Sequence, residues 1–325
     1  MSDAARGDLP ALTIGCTFSD RIEALLDGRV AIEGFLSTLR CVEAQSLFRM
    51  TLDDATFDVA ELSMGSHIAA VAQGRREYVG LPVFLSRSFR HSNLYVRADR
   101  GIESPADLAG KRIGLVDFQQ TAALWLRGLL ADDYGVSRDG IDWVTAGLHA
   151  PVLTDRMSMT LPEEISVTRS SSTLDAMLSD GAIDAIISPT APRCFTTGAA
   201  PVRRLWEDYR QAEIDFWHRT RVFPIMHVLV VRRSLIERSP TLGVAVYDAF
   251  VRSLDLALSD LATRDFPKCA MPWLANSAQS GVEALGEQPW TYGVEPNRAV
   301  LDRMLRYATE DGLIDALIPM EALFS

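Results

Sequence analysis

Cysteine is scarce and scattered. Four cysteines (Cys16, Cys41, Cys194, Cys269) occur in 325 residues, with no CxxC pair and no Cys/His cluster. That spacing speaks against a disulfide framework or a structural zinc site and leaves buried, reduced thiols. Long apolar runs are missing as well. No stretch reaches the roughly 18 residues of a membrane-spanning helix. Basic charge is in deficit: 32 Lys and Arg stand against 43 Asp and Glu, for a net charge of −11. A nucleic-acid binder would carry a basic face or stripe, and an anionic membrane surface would attract the opposite balance. No internal repeat or low-complexity tract is present. The start, MSDAARGDLPALTIGC, places Gly15 before Cys16 as a lipoprotein signal would. Asp8 and Pro10 interrupt the apolar segment that such a signal needs. Leu12–Cys16 is therefore expected as a first core strand, and the protein is expected in the cytoplasm.

What is present describes a globular chain. Hydrophobic residues make up 48% and charged residues 23%, and the length suits two lobes of about 100–200 residues each. Strand and helix patterns alternate early: strands at 12–16, 39–43, 57–62 and 79–84, helices at 22–27, 46–52 and 66–73. An extended crossover is expected at His91–Ala98. A second lobe follows, with strands at 112–116, 141–145 and 183–188 and helices at 121–134 and 174–179. Phe223–Arg232 reads as a return crossover, and helices at 240–261 and 297–311 fill the C-terminus. The expected fold is α/β and two-lobed, each lobe a mostly parallel sheet flanked by helices, with the ligand cleft between lobes. Lobe 1 would comprise 1–95 with 223–325, and lobe 2 would comprise 96–222.

Gly101–Gly128 is the most informative stretch. A strand, Arg112–Val116, runs through the polar loop Asp117–Gln120 into a helix opening at Thr121. Unpaired backbone N–H groups and the helix dipole at such a start attract anions, carboxylates included. Thr121 is expected to bond a ligand carboxylate through its hydroxyl and the helix-start amides while serving as the N-cap, with Gln119 and Gln120 as loop donors to the same ligand. The expected ligand is small and acidic.

DLAGKRIGL with LSDGAIDAIISPTAP resembles the type II periplasmic-binding-protein fold. Four further segments, LPVFLSRSFRHSNLYVRAD, QQTAALWLRGLLADDYGV, VRRLWEDYRQAEIDFWHRTRVFPIMH and PWTYGVEPNR, narrow the match. Together they resemble the 4,5-dihydroxyphthalate decarboxylase family from about residue 11 to the terminal ALF. The resemblance implies cofactor-independent loss of one carboxylate from a dihydroxylated aromatic diacid, giving protocatechuate in phthalate degradation. A solute-binding protein for an aromatic or sulfonated acid, or another lyase or dehydratase on the same scaffold, stays open. The partner is then a small aromatic carboxylate. The sequence leaves the oligomeric state open, a homo-oligomer included.

Decarboxylating an aromatic acid requires a grip on the diacid, polarisation of the phenol and a proton for the ring carbon. Arg87 and Arg90, following a strand, suit the carboxylates. Histidine suits the proton transfers, and there are five. His91 in RSFRH and His227 in FPIMH sit at the expected hinge. His67 opens a helix after Ser63-Met64-Gly65, while His149 and His218 are less clearly placed. Ser63 and Thr190 occupy strand ends where a ligand would lie. Trp125 is expected in the core and Trp217 is a candidate for ring stacking. Glu207, Asp208 and Glu213 read as a solvated acidic face and would be the first suspects if a metal were required; no metal site is assigned.

Overall fold

The computed structural model describes residues 9–151, 161–263 and 268–325. The chain divides into two compact units. The first holds the described residues up to Arg87, Ile225–Leu301 and Pro319–Ser325; the second holds Ser88–Pro224 and Asp302–Ile318. The segment 302–318 groups with the second unit.

The first unit opens with β1 (Ala11–Cys16), α1 (Asp20–Leu26), β2 (Leu36–Cys41), α2 (Ala44–Leu52), β3 (Val59–Ser63), α3 (Met64–Ala72) and β4 (Tyr78–Arg87). The second unit contributes β5 (Leu94–Arg97), β6 (Arg112–Leu115), α4 (Thr121–Tyr134), β7 (Asp142–Thr145), β8 (Val167–Arg169) and α5 (Leu174–Ser179). It continues with β9 (Ala185–Ile187), α6 (Arg193–Thr196), β10 (Val202–Arg204) and α7 (Tyr209–Thr220). The chain then returns through β11 (Ile225–Arg232), α8 (Arg233–Arg238), α9 (Leu242–Ala262) and α10 (Leu274–Leu285), and α11 (Arg298–Glu310) begins in the first unit and ends in the second. Among the described residues, no helix is long and apolar enough to cross a membrane.

The sheet of the first unit has the order β2-β1-β3-β11-β4. β1 runs parallel to β2 and β3, but β11 runs antiparallel to both β3 and β4. The sheet is therefore mixed, with β11 running against the other four strands, which share one direction. β4 is the last strand before the chain leaves this unit and β11 is the first after it returns, so the two lie side by side in opposite directions. β3 and most of β11 are buried, which their runs of Val, Ala, Leu and Ile account for. Glycine has a steric reason at position 80 in β4, where a Cβ would sit 2.4 Å from the Leu323 carbonyl oxygen and 2.7 Å from His67 Nε2.

The second sheet has the order β10-β5-β9-β6-β7-β8. β9, β6, β7 and β8 are parallel, while β5 and β10 close one side antiparallel. α4 follows β6 through the five-residue connection 116–120, and its first ten residues are all buried. Trp125 is core, as expected, with its ring edge-on to Tyr307 at 5.7 Å. Gly128 is required there, because a Cβ would come within 2.2 Å of the Tyr307 ring.

Candidate active site

In the first unit, the C-terminal end of β3 and the start of β11 meet in one register: His227 pairs with Ser63, and Leu229 pairs with Glu61. Antiparallel partners share a face, and residues two apart on one strand share it too. Glu61, Ser63 and His227 therefore crowd one patch. On its other side β11 shifts register against β4 both before and after His227, which pairs with Ser86. Such irregularities re-aim side chains and gather beside active sites.

The central contact is a carboxylate–imidazole pair. His227 Nδ1 lies 2.6 Å from Glu61 Oε1, with Glu61 1% exposed and the imidazole 21% exposed. The second carboxylate oxygen, Oε2, accepts both the Thr17 backbone N–H and its hydroxyl, each at 2.7 Å. The edge of Phe48 packs on the imidazole at 5.0 Å. Burial pushes the Glu61 carboxyl up, but the hydrogen bond and charge of His227, with the two Thr17 bonds, outweigh it, and the net shift is downward. Glu61 is thus held as a carboxylate. It anchors the ring at Nδ1, and a carboxylate in that position is able to stabilise positive charge on an imidazole. Cys16, at the end of β1, adjoins this pair: burial, then the charges of Glu61 and Cys41, push its thiol well up.

Arg87 lies two residues along the sheet, paired with Ile225. It is 6% exposed, and its guanidinium donates to the Thr291 carbonyl at 2.7 Å and to Asn297 Oδ1. Burial pushes it down to about 9, opposed by Tyr292. Ser63 caps α3 through Ser66 N–H at 3.5 Å. His67 is engaged structurally: Nε2 bonds the Leu323 carbonyl at 2.8 Å, and burial pushes the ring down to about 4. It ties α3 to the C-terminal segment as a neutral ring.

The remaining sequence candidates lie in the second unit. His91 has no exposed surface and is boxed by Trp206 at 4.9 Å, Phe216 at 5.4 Å and Tyr134 at 6.4 Å. Among the described residues neither ring nitrogen has a hydrogen-bond partner, and burial, with Arg219 adding to it, pushes the ring down to about 4. Arg90 donates to Asn93 Oδ1 at 2.9 Å, and burial pushes it down to about 10 against the pull of Glu213. Asn93 also links to the end of β9, its carbonyl accepting from Ser188 N–H at 2.9 Å. Thr190 is exposed, and its carbonyl accepts the Ser188 hydroxyl at 2.7 Å. At the start of α4 the cap position belongs to Gln120, and Thr121 is the first helical residue. That differs from the expected N-cap by one position, because Asp117 closes the loop earlier by accepting Gln119 N–H at 2.9 Å. Gln120 Oε1 is buried without a partner.

The acidic trio does not act as one face. Asp208 caps α7 through Gln211 N–H at 3.0 Å. Glu213 on that helix accepts Ser92 N–H at 3.4 Å, and burial raises it to about 7. Among the described residues, no group of three His, Cys, Asp or Glu is arranged to hold a metal.

Sequence reasoning missed Glu61, Thr17, Arg21 and Tyr292. Glu61 carried a readable signal: it is a lone carboxylate inside an otherwise apolar strand, VAELS, and buried carboxylates need partners.

Comparison with known proteins adds an independent line. Residues 63–162 match the family model described as NMT1/THI5 like. Over 315 residues the chain is 38% identical to the 4,5-dihydroxyphthalate decarboxylase of Comamonas testosteroni, covering 96% of each protein. It is 39% identical over 201 residues to the protein of that name from Pseudomonas putida, covering 61% of this chain and 78% of that one. Among solved structures, the periplasmic sulfonate-binding protein SsuA from Methylobacillus flagellatus KT superposes with a TM-score of 0.58 at 12% identity, over 98% of this chain and 92% of that one. That likeness concerns the fold alone and agrees with the two-lobed α/β architecture. The extent and identity of the first match place the chain in the 4,5-dihydroxyphthalate decarboxylase family.

Proposed function

We propose that this protein is a carboxy-lyase that converts 4,5-dihydroxyphthalate to protocatechuate. The observation that carries the reading is the buried Glu61 carboxylate holding Nδ1 of a half-buried His227. The reaction replaces one ring carboxylate by hydrogen. A proton is added to the carbon bearing that carboxylate, the C–CO₂ bond breaks, and its electron pair restores the aromatic ring as CO₂ departs. An oxygen para to that carbon supplies electron density to the ring. His227 in its imidazolium form donates the proton from Nε2, and Glu61 stabilises the cation. Of the three histidines singled out from the sequence, His67 and His91 are neutral at pH 7 and fully enclosed, which favours His227 for the proton transfer. Arg87 acts by fixing the loop at 291–297.

The test is direct. Purified protein incubated with 4,5-dihydroxyphthalate, with and without chelator, is expected to yield protocatechuate by chromatography in both arms. Absence of product under conditions that keep the protein folded overturns the reading. Solute capture for a transporter, the rival reading, is supported only at the level of fold and predicts binding without turnover. We place the reaction in the cytoplasm, and recovery of the native protein in a periplasmic fraction would overturn that placement.

A further inference from the structure

The segment Trp290–Gly293 has little reason of its own to be rigid, being a connection between helices. It is nonetheless fastened to β4 residue by residue. The Trp290 indole N–H donates to the Phe84 carbonyl at 3.0 Å. The Thr291 carbonyl accepts Arg87 at 2.7 Å and Asn297 Nδ2 at 3.1 Å. Gly293 N–H donates to the Pro82 carbonyl at 2.7 Å, and its own carbonyl accepts Asn297 Nδ2 at 2.8 Å. Gly293 has φ +94, a conformation that favours glycine.

Tyr292 sits within this clamp. It is 7% exposed, and among the described residues its hydroxyl is buried with no hydrogen-bond partner. Leaving a buried hydroxyl unpaired is costly, and native proteins rarely do so. The hydroxyl is within electrostatic reach of Arg21 and Arg87, which favour negative charge there, and of Glu61 and Cys16, which disfavour it. Arg21 is itself held: its guanidinium lies 4.5 Å over the Trp290 ring, and its Nε donates to the Leu85 carbonyl at 2.8 Å. The hydroxyl is thus held in a segment pinned to β4, within electrostatic reach of two cations and the Glu61 carboxylate.

We propose that the Tyr292 hydroxyl, backed by Arg21, donates a hydrogen bond to an anionic oxygen of the aromatic substrate. This inference rests on the decarboxylase reading. It adds a recognition subsite to it, made by residues of the PWTYGVEPNR segment. The oxygen belongs either to the retained carboxylate or to the para phenolate. A donor whose segment is already fixed in place keeps its orientation when the substrate's charge arrives.

Tyr292→Phe removes the oxygen and keeps the ring. Its Tm is expected to equal or exceed that of wild type, because no internal bond is broken. Its kcat/KM for 4,5-dihydroxyphthalate is expected to fall about 10- to 100-fold, the range for a hydrogen bond to a charged group. A raised KM at unchanged kcat assigns the contact to the retained carboxylate, and a lowered kcat assigns it to a phenolate whose charge grows in the transition state. Either result supports the inference. Kinetic constants within twofold of an active wild type overturn it alone, as does a clear fall in Tm, which would reveal an internal partner. A wild type that does not turn the diacid over fails the decarboxylase reading, and the inference with it. Arg21→Gln, titrated with phthalate by calorimetry, is expected to bind more weakly than wild type; equal affinity removes Arg21 from the subsite.

Discussion

Replacing His227 by alanine is expected to reduce kcat for decarboxylation by about 10²–10⁴-fold, the usual contribution of a positioned acid or base. KM should change little, because the ring acts on the proton rather than on the carboxylates. The fold should survive, since the imidazole is 21% exposed and lies at one end of β11. Glu61→Gln gives a smaller loss of the same kind. The amide keeps the shape and can still accept from Thr17, but it withdraws the negative charge that stabilises the imidazolium. A hydrogen bond to a charged group is worth about 1.5–3 kcal/mol, so the expected fall in kcat is roughly 10–100-fold. Single-turnover measurement of CO₂ release in both variants checks the pair. If His227→Ala keeps full kcat, the proton comes from elsewhere and the assignment is withdrawn. If Glu61→Gln is fully active while His227→Ala is not, the imidazole works without its carboxylate, and the buried pair has a structural role only.

The parts of the site that could be read from the sequence differ in kind from those that could not. His227 stood out because histidine is rare here and its segment looked like a crossover strand. The structure places that strand, β11, at Ile225–Arg232. Its partner was illegible as a partner, because Glu61 lies 166 residues away and the two meet only through the register of β3 with β11. Tyr292 was hidden for the same reason: nothing local shows that its neighbours bond to β4 and leave its hydroxyl open. His91 shows the converse. A histidine beside arginines suggested proton chemistry, yet Trp206, Phe216 and Tyr134, all distant in sequence, enclose it.

Secondary structure followed the same division. α4 matched its expected limits, Thr121–Tyr134, because a long apolar pattern ends at Gly135 in the left-handed conformation. The three-residue strands β8 and β10, with sequences VTR and VRR, offer too few positions for any period. α7 was also unread. Its sequence YRQAEIDFWHRT is mostly polar, and Phe216 is its single buried residue, so no apolar stripe marks it.

The second large effect concerns the ion pair beneath the start of α4. Asp311 has no exposed surface, and Arg127 is 1% exposed. Arg127 Nε donates to Asp311 Oδ2 at 2.7 Å, Arg138 bonds the other carboxylate oxygen, and Arg127 NH2 reaches the Phe118 carbonyl at 2.8 Å. The guanidinium lies 3.7 Å over the Phe118 ring. Burial pushes Arg127 down, and the charge and hydrogen bond of Asp311 oppose that shift. Asp311→Ala leaves this cation buried without its counter-ion. Breaking a buried pair on one side costs about 3–5 kcal/mol, which is a large share of the 5–15 kcal/mol that holds a typical domain together. Urea denaturation should show the loss. The double variant Arg127→Met/Asp311→Leu should recover part of it: an apolar pair of similar volume carries no desolvation penalty, while Arg138 loses Asp311 and keeps Glu310 as its partner. Recovery of stability need not restore activity. Without Arg127 the Phe118 carbonyl loses its guanidinium donor, and the 117–120 loop before the first turn of α4 is then expected to shift. A double variant that regains both stability and full activity would reduce the ion pair to packing alone. A single variant that loses less than about 1 kcal/mol would contradict the burial argument itself.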